Sequence, residues 1–315
     1  MGRDAGDCET AATVHGSAAA NATPVDLLAV VLMITGITLA ALNGALMKVL
    51  SQDMSEFMIV WARYAGFALL MLPLVVARDG AGAFSPARPG LQVLRALAMA
   101  TATVCFVAGA RTLNFADAIA IIYIYPFILV LLAPVFLGER VPTVAWVGVV
   151  GGFIGVLVVM RPSFDRLDAD ALLVLFCGLM VAIHLLLNRK LAPLSDPMKT
   201  SFWGALIVAL GLAVTLPFVW QTPDRHQMLL LGGIAATSAV GQSIILYAFS
   251  RAEASALAPF TYSEIVGAIV IAWLIFGTVP DSISWLGMAL IVASGVIVAR
   301  TPRLGAKTAR KRSAI

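Results

Sequence analysis

Glu264 stands in the apolar run over 255–276 and is the residue of this sequence with the most pointed chemistry. The separation from Phe276 is about 18 Å at about 1.5 Å per helical residue, which places the carboxyl near the middle of a bilayer core of about 30 Å. A carboxyl there can hold a substrate cation or take up a proton, because burial disfavours the charged form. The blander reading is a hydrogen-bonded carboxyl that only ties helices together. Arg63 lies about 9 Å inside its apolar run and Arg95 about 6 Å inside the next, by the same rise per residue. Either can bind an anionic substrate, pair with Glu264, or snorkel to the headgroups. Tyr123, Tyr125 and Tyr262 are the aromatic candidates, and an aromatic beside a carboxylate suits an amine or a planar cation. Tyr123 and Tyr125 are about 200° apart on a continuous helix, so that spacing lets only one of them face a given cavity. Asn43 and Gln242 can line a path or merely bridge helices. His184 and Asn188 read as structural, and Lys48 as an anchor at the membrane interface.

The remaining chemistry is sparse. Cys8, Cys105 and Cys177 are scattered, with no disulfide or metal spacing. No phosphate loop, paired carboxylates or His/Cys/Asp cluster occurs, so no cofactor, metal or enzyme activity is expected.

The elements that must position these residues follow from composition. Of 315 residues, 61% are apolar and 12% charged, against roughly 25% charged in soluble domains. The surplus needs a lipid solvent. Ten apolar stretches of spanning length appear, over 26–50, 57–76, 91–111, 117–137, 142–160, 170–190, 200–220, 227–248, 255–276 and 284–299. The expected fold is therefore an all-α integral membrane protein of ten transmembrane helices. Residues 1–24 lack the basic start of a secretory signal and read as a disordered tail, with the first apolar run retained as a helix. Residues 300–315 form a basic tail that holds six of the 21 Lys and Arg residues. With a cytoplasmic N-terminus the inner segments carry 15 Lys and Arg against 5 outside, which predicts both termini in the cytoplasm of an inner-membrane protein. The basic tail accordingly reads as an orientation signal, and no nucleic-acid partner is expected.

The two halves are related. Residues 138–157 match 277–296 at an offset of 139, with Gly138 on Gly277, Trp146 on Trp285 and Gly148 on Gly287. The same offset lays Tyr125 on Glu264 and Tyr123 on Tyr262, while Lys48 and Lys190 close the first helix of each half. Five helices per half is an odd number, so the repeats over 26–160 and 170–299 must be inverted, an arrangement used by transporters. Gly148, Gly151, Gly152 and Gly155 allow close helix packing, within the bundle or in a homodimer.

The segment LNFADAIAIIYIYPFILVLLAPVFLGE at 113–139, the Gly-rich helix after it, and MetArgPro at 160–162 resemble the EamA domain of the drug/metabolite transporter superfamily. EASALAPFTYSEIVGAIVIAWLIFG at 253–277 resembles the same domain again, although Thr278 stands where the first copy has Glu139. The resemblance implies a central basket opened alternately to the two sides, and a substrate among amino acids, nucleobases, vitamins, S-adenosylmethionine and drugs. Single-domain multidrug relatives use a Glu in their first helix; this sequence has none there. The expected function is a secondary transporter of a small organic metabolite, with a coupling proton as a candidate partner. An uncoupled facilitator or channel and a non-transporting membrane scaffold are the alternatives.

Overall fold

The computed structural model describes residues 26–137, 143–160, 168–252 and 257–300, and among them the regular elements are all helices. The Gly138–Glu139 motif, the start of its second copy and both tails lie outside the described residues. The N-terminal half comprises α1 (Leu27–Leu50), α2 (Glu56–Asp79), α3 (Pro89–Gly109), α4 (Phe115–Ile122), α5 (Tyr125–Leu137) and α6 (Thr143–Met160). The C-terminal half comprises α7 (Ala169–Leu191), α8 (Pro197–Ala213), α9 (Leu216–Val219), α10 (Arg225–Arg251), α11 (Ser263–Phe276) and α12 (Ser282–Arg300). Short 3-10 turns occupy Gly80–Phe84 and Ala258–Tyr262.

Several helices start where an aspartate accepts from the unpaired first-turn amides: Asp26 from Leu28, Asp168 from Asp170, and Asp196 from Met198 and Lys199. Asp224 and Gln227 make a reciprocal capping box at α10.

Polar and apolar side chains are distributed as a lipid solvent requires. Phe218 is 86% exposed and Val135 79%, whereas Gln92 is 0%, Asn43 1% and Arg95 4% exposed. An outer surface so rich in apolar side chains is stable against acyl chains and not against water. Among the described residues seven segments are helical, long and apolar enough to cross a membrane, and three shorter apolar helices, Trp146–Met160, Pro197–Ala213 and Ser282–Ile297, join them. This is a multi-pass, all-α membrane protein.

The halves interlock. α1 packs on α10 and α11, α7 packs on α3 and α5, α2 packs on α8, and α6 packs on α12. The last pair explains the glycine stripe of α6. A Cβ on Gly155 would stand 2.9 Å from the Gly287 carbonyl oxygen, and one on Gly287 would stand 2.8 Å from that of Gly155. The two backbones approach closely within one chain.

Three expected helices are not continuous. The span expected over 117–137 stops at Ile122 and restarts at Tyr125. Pro126 has no N–H to offer the Ile122 carbonyl and crowds the preceding turn, so the chain resets there. The span expected over 255–276 contains the 3-10 turn at Ala258–Tyr262, entered through Pro259, before α11 begins. The span expected over 200–220 likewise ends at Ala213, and α9 follows as a separate turn.

Ion pairs clasp the halves at one end of the bundle. Arg78 at the end of α2 lies 2.7 Å from Asp196 before α8, and Arg251 at the end of α10 lies 2.8 Å from Asp26 before α1. The Arg251 guanidinium holds the Asp26 carboxyl below its usual range.

Candidate functional site

A cavity of about 130 Å³ lies where α2 and α3 of the N-terminal half face α7, α8 and α10 of the C-terminal half. Arg63 and Arg95 enter it from the first side, and His184, Asn188, Ser201, Ser238 and Gln242 from the second. Helical spacing accounts for the polar lining, because His184 with Asn188 and Ser238 with Gln242 are i, i+4 pairs that share a face.

Arg95 is held in place. Its Nη1 donates to Asn188 Oδ1 at 3.2 Å, its Nε to Gln92 Oε1 at 3.3 Å, and its Nη2 to the Thr200 carbonyl. His184 Nδ1 lies 3.1 Å from the Arg95 carbonyl oxygen, which ties α7 to α3 at the same level. The guanidinium fits because Gly204 has no side chain: a Cβ there would meet Arg95 Nη2. Arg63 is held more loosely. Its Nε donates to Ser238 Oγ at 3.2 Å, its Cζ stands 5.2 Å from the Tyr64 ring centroid, and its Nη1 reaches only the Met47 sulfur at 4.0 Å.

Asn43 stands behind this wall. Its Nδ2 faces the Ile234 carbonyl at 2.7 Å, Thr237 Oγ1 at 2.9 Å and Ser238 Oγ at 3.0 Å. It fixes the stretch of α10 that presents Ser238 to Arg63, and so acts on the cavity through Ser238.

A second polar cluster forms at the two helix breaks, apart from the cavity lining. The Tyr123 ring centroid lies 5.5 Å from that of Tyr125 and 5.3 Å from that of Tyr262. The Tyr123 hydroxyl oxygen is 2.5 Å from the Thr261 carbonyl oxygen and 2.8 Å from Glu264 Oε2. The 200° separation expected of Tyr123 and Tyr125 does not apply, because the chain resets between them and their rings meet; neither lines the cavity. Among the described residues, neither Arg63 nor Arg95 pairs with Glu264.

The eight candidate residues thus divide. Arg63, Arg95 and Gln242 line the cavity, Asn43 supports it, and Tyr123, Tyr125, Tyr262 and Glu264 gather at the breaks. Ser201, Gly204 and Ser238 carry no signal of their own in sequence, and only the i, i+4 relation of Ser238 to Gln242 points to it. Lys48, expected to anchor at the membrane interface, is satisfied within the protein. It is 9% exposed, and its Nζ donates to the Ala110 carbonyl at 2.5 Å and the Leu113 carbonyl at 2.6 Å. Carbonyls at the end of α3 have no intrahelical donors, and a buried ammonium satisfies them.

The sequence matches the EamA-like transporter family over residues 27–161 and again over 170–300. The riboflavin transporter of Rhizobium johnstonii is 30% identical over 240 residues, 75% of this chain and 78% of its own. The S-adenosylmethionine uptake transporter of Rickettsia conorii is 25% identical over 259 residues, 81% and 87% of the two chains. The pseudopaline exporter of Pseudomonas aeruginosa is 26% identical over 276 residues, 86% and 95%. A crystal structure 16% identical in sequence superimposes with a TM-score of 0.65 over 86% of this chain and 96% of its own, and shares the fold.

Proposed function

The chain belongs to the EamA-like transporter family, and from that premise we propose that it carries a small organic metabolite through the Arg63–Arg95 cavity by exposing it alternately to the two sides of the membrane. The observation that carries this reading is a polar cavity walled by helices of both halves, which a rocking of one half against the other would open. Its volume of about 130 Å³ is well below the roughly 300–1,000 Å³ of pockets that enclose whole ligands. The walls must part to admit a metabolite.

In this reading ten spanning helices form two inverted repeats, 26–160 and 170–299, flanked by a tail over 1–24 and a basic tail over 300–315. Supporting it, the contacts map onto themselves when the halves are exchanged: α1 on α10 becomes α7 on α3, and α1 on α11 becomes α7 on α5. The lysines follow the same exchange. Lys48 stands 5.5 Å from the Phe276 ring centroid and Lys190 stands 5.8 Å from that of Phe136. The Lys and Arg bias supports cytoplasmic termini in the bacterial inner membrane. The α6 stripe is used inside the chain, so a homodimer would need another face.

Coupling to a proton is assigned to Glu264. One phenolic hydrogen faces two acceptors, the Thr261 carbonyl and Glu264 Oε2. With Glu264 protonated and donating to the Tyr123 oxygen, each contact has its own hydrogen, whereas with Glu264 ionised the two acceptors compete for one. An ionised Glu264 would claim the Tyr123 hydrogen and release the Thr261 carbonyl, a link between the breaks of the two halves.

The test is uptake of radiolabelled riboflavin, S-adenosylmethionine, amino acids and nucleosides by proteoliposomes of the purified chain, with and without a pH gradient. Accumulation of one substrate against its gradient supports a coupled carrier, and equilibration alone identifies an uncoupled facilitator. Binding or flux of none of them at millimolar concentration removes the carrier reading for these classes and favours a scaffold.

A further inference from the structure

Two guanidinium groups face the cavity and no described carboxylate lines it. Arg95 directs three of its five N–H donors to neutral acceptors, Gln92, Asn188 and the Thr200 carbonyl, which leave its charge unpaired. Arg63 directs its Nε to a neutral hydroxyl, and its Nη hydrogens find no oxygen acceptor among the described residues. A charge withdrawn from water is stable only when paired, and a planar guanidinium with free, coplanar donors is shaped for an oxyanion. The neutral groups nearby, Ser238, Asn188 and Gln242, can add donors. The field of two arginines disfavours the entry of a bare cation.

We propose, resting on the transport reading above, that the cavity is an oxyanion site: Arg63 clamps a carboxylate or phosphate group of the transported metabolite, and Arg95 supplies a second, fixed positive charge. A cavity of about 130 Å³ has room for about four water molecules at roughly 30 Å³ each. It accepts the anionic head of a metabolite, while the rest of the molecule occupies space made when the walls part. Glu264 lies outside this lining, so its proton and the anion are bound at separate places.

The experiment is thermal melting of the detergent-purified full chain with matched pairs that differ in one charge, glutamate with glutamine and nicotinate with nicotinamide, and with inorganic phosphate, all at constant ionic strength. The expected result is stabilisation by at least one carboxylate or by phosphate and not by the amide partner. A response to phosphate without carboxylates assigns a phosphorylated substrate, and the reverse assigns a carboxylic acid. Arg63→Gln should weaken the apparent affinity by roughly 10- to 100-fold, the loss of one charge-assisted contact. Arg63→Lys keeps the charge without the fork and should fall between. Equal stabilisation by the amide partners, a shift that survives in Arg63→Gln, or no response to any of these anions overturns the oxyanion site. Uptake of a neutral metabolite that is indifferent to Arg63→Gln would overturn it while leaving the carrier reading intact.

Discussion

Replacing Glu264 by Gln and Tyr123 by Phe sets the protonation argument against its opposite. If Glu264 is neutral, the side-chain amide introduced by Glu264→Gln has an N–H to give the Tyr123 oxygen, and Tyr123 still donates to the Thr261 carbonyl 2.5 Å away. The cost should stay below about 0.5 kcal/mol, the usual scale for a substitution that leaves its contacts intact. Tyr123→Phe deletes the hydroxyl that serves both Thr261 and Glu264. It removes the Tyr123 donor from the Thr261 carbonyl and the acceptor from the Glu264 O–H, beside a side chain only 1% exposed, at about 1–3 kcal/mol. Tyr123→Phe is therefore expected to be the less stable variant by about 1 kcal/mol or more. With Glu264 ionised, Glu264→Gln would lose a charge-assisted bond of about 1.5–3 kcal/mol, and its cost would rise towards that of Tyr123→Phe, which breaks the same bond. Reversible unfolding in mixed micelles measures the order. Infrared spectra of the wild type should also contain a carboxylic-acid carbonyl band at neutral pH that Glu264→Gln lacks. A Glu264→Gln protein as destabilised as Tyr123→Phe, with no such band, refutes the reasoning.

Other substitutions probe the cavity and its supports. Gly204→Ala places a methyl group against the Arg95 guanidinium and should cost about 1–3 kcal/mol by overpacking, with weaker anion stabilisation, both read from melting curves. Lys48→Met leaves the Ala110 and Leu113 carbonyls without their donor and should cost at least about 1.5–3 kcal/mol; a melting temperature equal to wild type would return Lys48 to the interface. Asp196→Asn keeps a cap for α8 and removes the 2.7 Å contact with Arg78, at about 0.2–1 kcal/mol, and its deficit should shrink at high ionic strength. Asp26 is held in its charged form by Arg251, so that contact contributes above the carboxyl's unfolded range and is lost as pH falls through its lowered folded value. Protease sensitivity at the α1 and α10 ends should rise on acidification, and Asp26→Asn should abolish the change.

Much of the membrane architecture is legible in residue order. Apolar runs punctuated by Pro, Gly and charge locate helices to within a few residues, because lipid leaves the backbone no alternative to internal hydrogen bonding. α1, expected over 26–50, is Leu27–Leu50, and α7, expected over 170–190, is Ala169–Leu191. The breaks are less legible. Pro126 and Pro259 are visible as letters, but a proline can bend a helix or end it, and only packing decides which. The broken form brings Tyr123, Tyr125, Tyr262 and Glu264 to one place, and helical spacing does not carry across the break from Tyr123 to Tyr125.

Residue types alone determined that this chain lives in lipid, that it repeats, and which of its few ionisable side chains are worth attention, since hydropathy and burial cost depend on the residue more than on its neighbours. Only the tertiary structure decided which partners those side chains have. Arg63 and Arg95 share a cavity without Glu264, Lys48 caps α3, and Ser238 and Gly204 shape the site. Each of these facts depends on contacts between residues far apart in the chain, such as Arg63 with Ser238 and Arg95 with Thr200. A charge is visible in sequence; the acceptor that satisfies it is set by how the helices pack.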